Sequence, residues 1–296
     1  MGSRPILYLT IAASLPLFAG YPIHIGRPDP VGTATMIHAE GSETSINKLM
    51  VDGHPGPPQE RVTAIKVDYR REILAANEQR RATRLQLTLG KGTCRVDGQV
   101  LELPPEGSIV EVRREAGRDL YLKDGFPLPE KVQDALGLAV GLGDGKDDDD
   151  AQYGTDKPRE IGDSWDVNVE NILETAGRAA GFTADPRNVT GKTVFQEVVK
   201  DHGVDCIRLS IHVDIRKARG AFYLDRARGL RIAKETILLE QSGLFPMDPE
   251  LQPHAYRIHS RMEGLLACDG KDDGAEPIPV AETLLDTFVQ MDITPL

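Results

Sequence analysis

From residue 204 to residue 215 the chain alternates without a break. Ile207, Leu209, Ile211, Val213 and Ile215 fall on one parity, and Cys206, Arg208, Ser210, His212 and Asp214 on the other. Successive side chains of a strand point to opposite faces, so this run has one dry face and one wet face. Such a strand belongs in an antiparallel sheet covered on one side, not in a parallel sheet buried on both. It demands further strands to extend the apolar face and a second layer to cover it.

Neighbouring segments supply the strands. Leu85, Leu87 and Leu89 alternate with Gln86 and Thr88. Residues 93–96 and 99–103 flank Asp97-Gly98, a dipeptide suited to a type I′ hairpin turn, where both central residues need positive φ. A second hairpin joins 109–113 to 120–123 through Ala116-Gly117, and a third joins 193–199 to the alternating run through Asp201-His202-Gly203. Residues 221–224 and 230–239 read as a hairpin about Arg228-Gly229. Tyr256, Ile258, Ser260 and Met262 alternate with Arg257, His259, Arg261 and Glu263 in a last long strand.

Two segments carry the helical period instead. Val132, Ala135, Leu136, Ala139 and Val140 line one face of 129–142, with Pro129 in the first turn. Val169, Ile172, Leu173, Ala176 and Ala180 line one face of 168–180, between the N-cap Asn168 and the terminating Gly181. The expected fold class is α+β, a predominantly antiparallel meander with two amphipathic helices packed on it. The expected organisation is a signal-peptide-like segment over 1–20, an irregular entry segment over 21–60 with short strands around 33–39 and 45–51, and a β-rich domain over 61–267 with an acidic loop at 143–157. A tail follows over 268–296, with 281–291 read as a short helix or frayed. Repulsion within Asp147-Asp148-Asp149-Asp150 marks the acidic loop as a solvated connection.

The first residues point to export. Arg4 provides a short positive region, Ile6 to Ala19 run without a charge, and small residues Ala19 and Gly20 follow, the order of a secretory leader. That run is too short to span a bilayer comfortably. The expected location is extracytoplasmic, periplasmic or secreted. An oxidising compartment would allow one disulfide among Cys94, Cys206 and Cys268, and spacing does not choose the pair. The formal net charge of -11 argues against nucleic acid and anionic membranes, both of which need a positive field.

Gly162-Asp163-Ser164-Trp165 stands after the acidic loop and directly before the second helix, and the strand–turn–strand 193–215 follows. With the leader-like start, these features resemble a family of exported bacterial proteins of uncharacterised function, over roughly residues 60–267. The resemblance implies an extracytoplasmic β-rich domain and brings no catalytic or binding residues.

Several chemistries were weighed against these residues. Gly-Asp-Ser is also how one class of esterases presents a nucleophilic serine, but the Asp-x-x-His partner is absent, so Ser164 reads as part of a turn. Of His24, His38, His54, His202, His212, His254 and His259, only His212 shares a strand face with a nearby carboxylate, Asp214, while His259 lies on an exposed face of another strand. Asp144-Gly145-Lys146-Asp147-Asp148 recurs as Asp269-Gly270-Lys271-Asp272-Asp273, but lysine at the third position and no glutamate at the twelfth exclude an EF-hand. No phosphate-binding loop occurs. The sequence therefore assigns no catalytic, cofactor or metal residues. The expected function is that of a soluble, non-enzymatic binding or envelope-interaction module, whose partner is a protein or a small apolar ligand, with no nucleic acid and no membrane span beyond the leader. The alternatives are a carrier holding an apolar ligand between sheet and helices, and a serine hydrolase using Ser164.

Overall fold

The computed structural model describes residues 20–51, 54–115, 118–142, 149–220, 230–268 and 278–296. The leader-like residues 1–19, the turns at Ala116-Gly117 and Arg228-Gly229, residues 221–224, and both Asp-Gly-Lys-Asp-Asp segments lie outside them.

In chain order the first strands are β1 (Tyr21–Ile23), β2 (Ala34–Val51), β3 (His54–Pro55), β4 (Gln59–Ala76), β5 (Ala82–Val96) and β6 (Gln99–Leu101). Next come β7 (Ile109–Glu115), β8 (Arg118–Lys123), β9 (Phe126–Pro127) and the helices α1 (Glu130–Ala139) and α2 (Asp149–Tyr153). The strands β10 (Thr155–Arg159) and β11 (Ser164–Asp166), helix α3 (Val169–Ala180) and strand β12 (Phe182–Thr183) follow. The chain continues through β13 (Val189–Asp201), β14 (Val204–Gly220), β15 (Leu230–Pro246), β16 (Ala255–Cys268) and β17 (Ile278–Pro295).

Fifteen strands form one antiparallel sheet, whose main path runs β11-β13-β14-β15-β16-β17-β2-β4-β5-β7-β8-β9. This corrects the α+β expectation. The protein is 66% strand and 11% helical, and the three short α-helices among the described residues serve as caps on a β structure. The largest difference lies near the ends of the chain. Residues 34–51, within the expected irregular entry, form an 18-residue strand, and 278–295, within the expected tail, form another. These two strands pair with each other along their length, from Ala281↔Leu49 to Pro295↔Thr35, at the centre of the sheet. At the usual rise per residue each is about 60 Å long.

The register carries the alternation of 204–215 across the sheet. One row reads Trp165, Thr193, Ile211, Gln241, Ile258, Val289, Gly41, Ile65 and Cys94 on nine successive strands. The adjacent row reads Asp166, Lys192, His212, Glu240, His259, Phe288, Ser42, Ala64 and Arg95. The first row belongs to the apolar face and the second to the polar face.

The helices cover the two ends of the apolar face. Helix α1 packs on β2, β4, β5, β8 and β17, and its Ala135, Leu136 and Ala139 meet Ile65, Val67, Tyr69, Leu87 and Val112 in one core. Its final carbonyls are capped from the sheet: Tyr69 donates its hydroxyl to the Ala139 carbonyl at 2.9 Å, and Tyr121 to that of Val140. A second core gathers Ile172 of α3 and Tyr153 of α2 with Trp165, Phe195, Leu209, Ile211, Val213 and Phe245. Helix α3 has the expected ends, with the Asn168 side chain accepting from the Asn171 N–H and Gly181 in the left-handed region. Between the two caps, Ile237, Ile258, Met262, Leu285 and Val289 stay half-buried.

The hairpin turns follow the chemistry of their residues. Asp97 and Gly98 both have positive φ, and so do His202 and Gly203 in the turn between β13 and β14. The acidic run behaves otherwise than expected, because Asp149 and Asp150 open α2. The Asp150 carboxylate accepts the backbone N–H groups of Ile25 and Gly26, and so ties the first described residues to the second core.

Candidate functional site

The polar face of β14–β17 brings four ionisable side chains into one row. His212 Nδ1 lies 3.7 Å from Glu240 Oε1, and His259 Nδ1 lies 3.6 Å from Glu240 Oε2. The other nitrogen of His259 is 3.0 Å from Asp286 Oδ1. The row continues at both ends. Arg261 reaches Asp286 at 3.9 Å and Glu263 at 2.6 Å, while Lys192 and Asp166 pair at 3.4 Å one strand beyond His212. Apart from Arg261–Glu263, which lie two residues apart on β16, each contact joins residues on different strands, brought together by antiparallel register. Arg257 lies over the Phe288 ring at 5.5 Å, so an aromatic side chain on this face is also shielded by a charged one.

Two strands away the same face repeats the pairing of imidazole with carboxylate. His38 on β2 contacts Asp68 on β4 through Nδ1 and Glu40 through Nε2, and Lys66 pairs with Glu40. The hydrogen bond to Asp68 raises the His38 pKa above its ordinary value. Lys66 and His38 hold the Glu40 carboxyl below the usual range. Charged groups in such numbers meet water, since burying them against hydrocarbon would cost several kcal/mol each. Among the described residues no group of three or more His, Cys, Asp or Glu is disposed to hold a metal ion. The face therefore offers a charged field without a coordination shell.

His212, Asp214 and His259, singled out by sequence, all lie on this face. Asp214 turns to Arg216, at 2.6 Å, and not to His212. Glu240 and Asp286, which join the two histidines, carry no signal in the sequence, because only the pairing of β14, β15, β16 and β17 brings them there. His202 and His254 lie elsewhere, beside Asp201. His24 lies 3.7 Å from Asp150.

Ser164 is exposed at the start of β11 and pairs with Val194. Among the described residues no imidazole is among its partners, which removes the hydrolase reading. The Gly162-Asp163-Ser164-Trp165 segment is a turn at Gly162 that leads directly into β11. Asp163 accepts the Glu160 N–H through its side chain, and Trp165 is buried with its indole N–H donating to the Tyr153 carbonyl at 2.8 Å. The carrier reading required a deep apolar cavity between sheet and helices. Those spaces are filled, by Leu136 and Ala139 under α1 and by Phe195 and Leu209 under α3. The surface hollows are open clefts, such as one of about 530 Å³ beside Leu103, Pro104, Leu128 and Val132. All three cysteines are free, and Cys94 and Cys206 are buried.

No family model and no curated protein matches the chain. Among solved structures it is similar to an outer membrane channel from Pseudomonas putida F1, at 8% identity, covering 89% of this chain and 96% of that one, with a TM-score of 0.20. It is also similar to a BenF-like porin from Pseudomonas fluorescens Pf-5, at 7% identity, covering 90% and 100%, with a TM-score of 0.19. These neighbours stand against the expectation of a soluble interaction module with no span beyond its leader, and that expectation is withdrawn. No helix among the described residues is long and apolar enough to cross a membrane, a fact that does not bear on crossing by strands. At such TM-scores the likeness fixes no architecture, and no function is drawn from it.

Proposed function

We propose that this chain is an extracytoplasmic envelope protein whose working surface is the polar face of its central sheet, where small cations gather from the adjoining water. The observation that carries the reading is the row His212, Glu240, His259 and Asp286 on four consecutive strands. Glu240, held between two imidazoles, and Asp286 beside it present carboxylate oxygens that attract small cations. The net charge of -11 adds a long-range field of the same sign. The leader-like first residues support the location, and the resemblance carried by Gly162-Asp163-Ser164-Trp165 agrees with it.

Magnesium ion is a suitable probe. In protein labelled for NMR, the side-chain resonances of His212 and His259 are expected to move with added Mg²⁺ at low ionic strength. Glu240→Gln should remove most of that movement, and high salt should displace the ion. Resonances that stay still, or that move equally in Glu240→Gln, overturn the reading. N-terminal sequencing of the mature protein tests export separately, and an intact Met1 would count against cleavage.

A further inference from the structure

Residues 247–254, between β15 and β16, cross over the start of β14, where Cys206 is completely buried. Ties from distant parts of the chain hold this strap down. The Arg27 guanidinium donates to the carbonyls of Pro246 at 2.7 Å and Asp248 at 3.4 Å, and lies over the Phe245 ring. Gln252 donates to the Pro28 carbonyl and accepts from Arg71. Glu250 pairs with Arg80 at 2.7 Å in water. Met247 N–H donates to the Asp205 carbonyl.

The last residue of the strap is His254, whose side chain is 1% exposed. Its Nδ1 lies 2.8 Å from Asp201 Oδ2 and 3.7 Å from Cys206 Sγ. Its Nε2 is buried without a hydrogen-bond partner, and so is Arg27 Nε. A buried thiol thus has an imidazole in reach, a carboxylate that orients the imidazole, and two buried nitrogen atoms left unsatisfied. Such unmet groups are costly and rare. While the strap is down, burial pushes the Cys206 thiol up and keeps the sulfur a poor nucleophile.

We infer that Cys206 is a site of reversible thiol modification, gated by the 247–254 strap, and that its co-reactant is a low-molecular-weight disulfide. When the strap lifts, water reaches the unpartnered Nε2 of His254 and relays the Cys206 proton to it, Nδ1 remaining the donor to Asp201, and the thiolate attacks one sulfur of the disulfide. The S–S bond of the reagent breaks, a mixed disulfide forms on Cys206, and the departing thiolate takes up the proton. A thiol reverses the step.

Glutathione disulfide is the probe, with peptide mapping by mass spectrometry on the full chain. Half-buried Cys268 reports a less protected thiol, and Cys94, buried in the other core, reports global unfolding. Loosening the strap with Glu250→Gln and Gln252→Ala should raise the rate at Cys206 by roughly three- to tenfold, as expected when exposed ties to a local opening are cut. Arg80→Gln should raise it in the same direction, and Cys94 should stay unmodified. His254→Gln in the loosened background should slow the reaction and move its pH profile toward that of an unassisted thiol. An unchanged Cys206 rate in both strap variants, an equal rise at Cys94, or a pH profile unmoved by His254→Gln would each overturn the inference.

Discussion

Tyr69 donates its hydroxyl to the carbonyl oxygen of Ala139, a hydrogen bond from a central sheet strand to the last residue of α1. With Tyr121 on Val140, it does the work usually left to a C-terminal glycine, since Val140 is extended. Tyr69→Phe strands a buried carbonyl, which costs about 1–2 kcal/mol. The midpoint of urea unfolding should fall with an unchanged slope. Pairing it with Tyr121→Phe should give a non-additive loss, because both hydroxyls hold one helix end.

Glu235 makes the protein sensitive to pH. Its carboxyl is 6% exposed, one oxygen has no partner, and burial pushes its pKa from 4.5 up to about 7. The folded state therefore holds this proton more tightly than the unfolded state does. Stability is greatest below the ordinary carboxylate value and declines as pH rises from 4.5 to about 7, by at most about 3 kcal/mol. Glu235→Gln should flatten that slope in denaturation curves measured across this range. A slope unchanged by the substitution would show that the carboxyl is hydrated.

His38 adds to the same trend at higher pH. The hydrogen bond it donates to Asp68 raises its folded pKa, so its contribution is fully present below the ordinary imidazole value, 6.5, and is lost as pH rises through the raised one. Both groups lie on one antiparallel sheet but on opposite faces, so their effects should add. NMR titration should place the His38 midpoint above 6.5 and return it toward that value in Asp68→Asn.

Gly243 faces Tyr256 across the β15–β16 pair, and a Cβ there would collide with the Phe245 ring, which is 1% exposed. Gly243→Ala should therefore cost about 1–3 kcal/mol through overpacking. Adding Phe245→Leu should recover part of the loss, and thermal unfolding of the single and double variants measures it.

Asp150 links the acidic run to the N-terminal side of the domain. Asp150→Ala removes the acceptor of the Ile25 and Gly26 N–H groups, at a cost of about 1–2 kcal/mol. Amide exchange should quicken at Ile25 and Gly26 first.

Local signals were readable wherever one face of a segment is dry. The Asp97-Gly98 and His202-Gly203 turns, the alternation over 207–215 and the ends of α3 all follow from residue chemistry within a few positions. The continuous length of β2, legible only as short strands around 33–39 and 45–51, and the whole of β17 escaped because both of their faces are half wet. Glu43, Ser45 and Asn47 share the apolar face with Ile37 and Ala39, while Leu284 and Phe288 sit among charges on the polar one. Such strands show no one-sided pattern to read. The row through Glu240 and Asp286 and the contact of His254 with Cys206 depend on the pairing of distant segments, which local periodicity does not encode.

The pairing of β2 with β17 also sets a schedule. Residues 34–51 and 278–295 lie side by side, so the middle of the sheet has no partner until the second of these segments has been made. Until then two half-sheets each present a long open edge, a hazard for association. A chain of this design gains from being kept extended by holdase chaperones until β17 has emerged. A permuted version that joins its ends and opens at the 202–203 turn should form its central pair early and reach the native state faster.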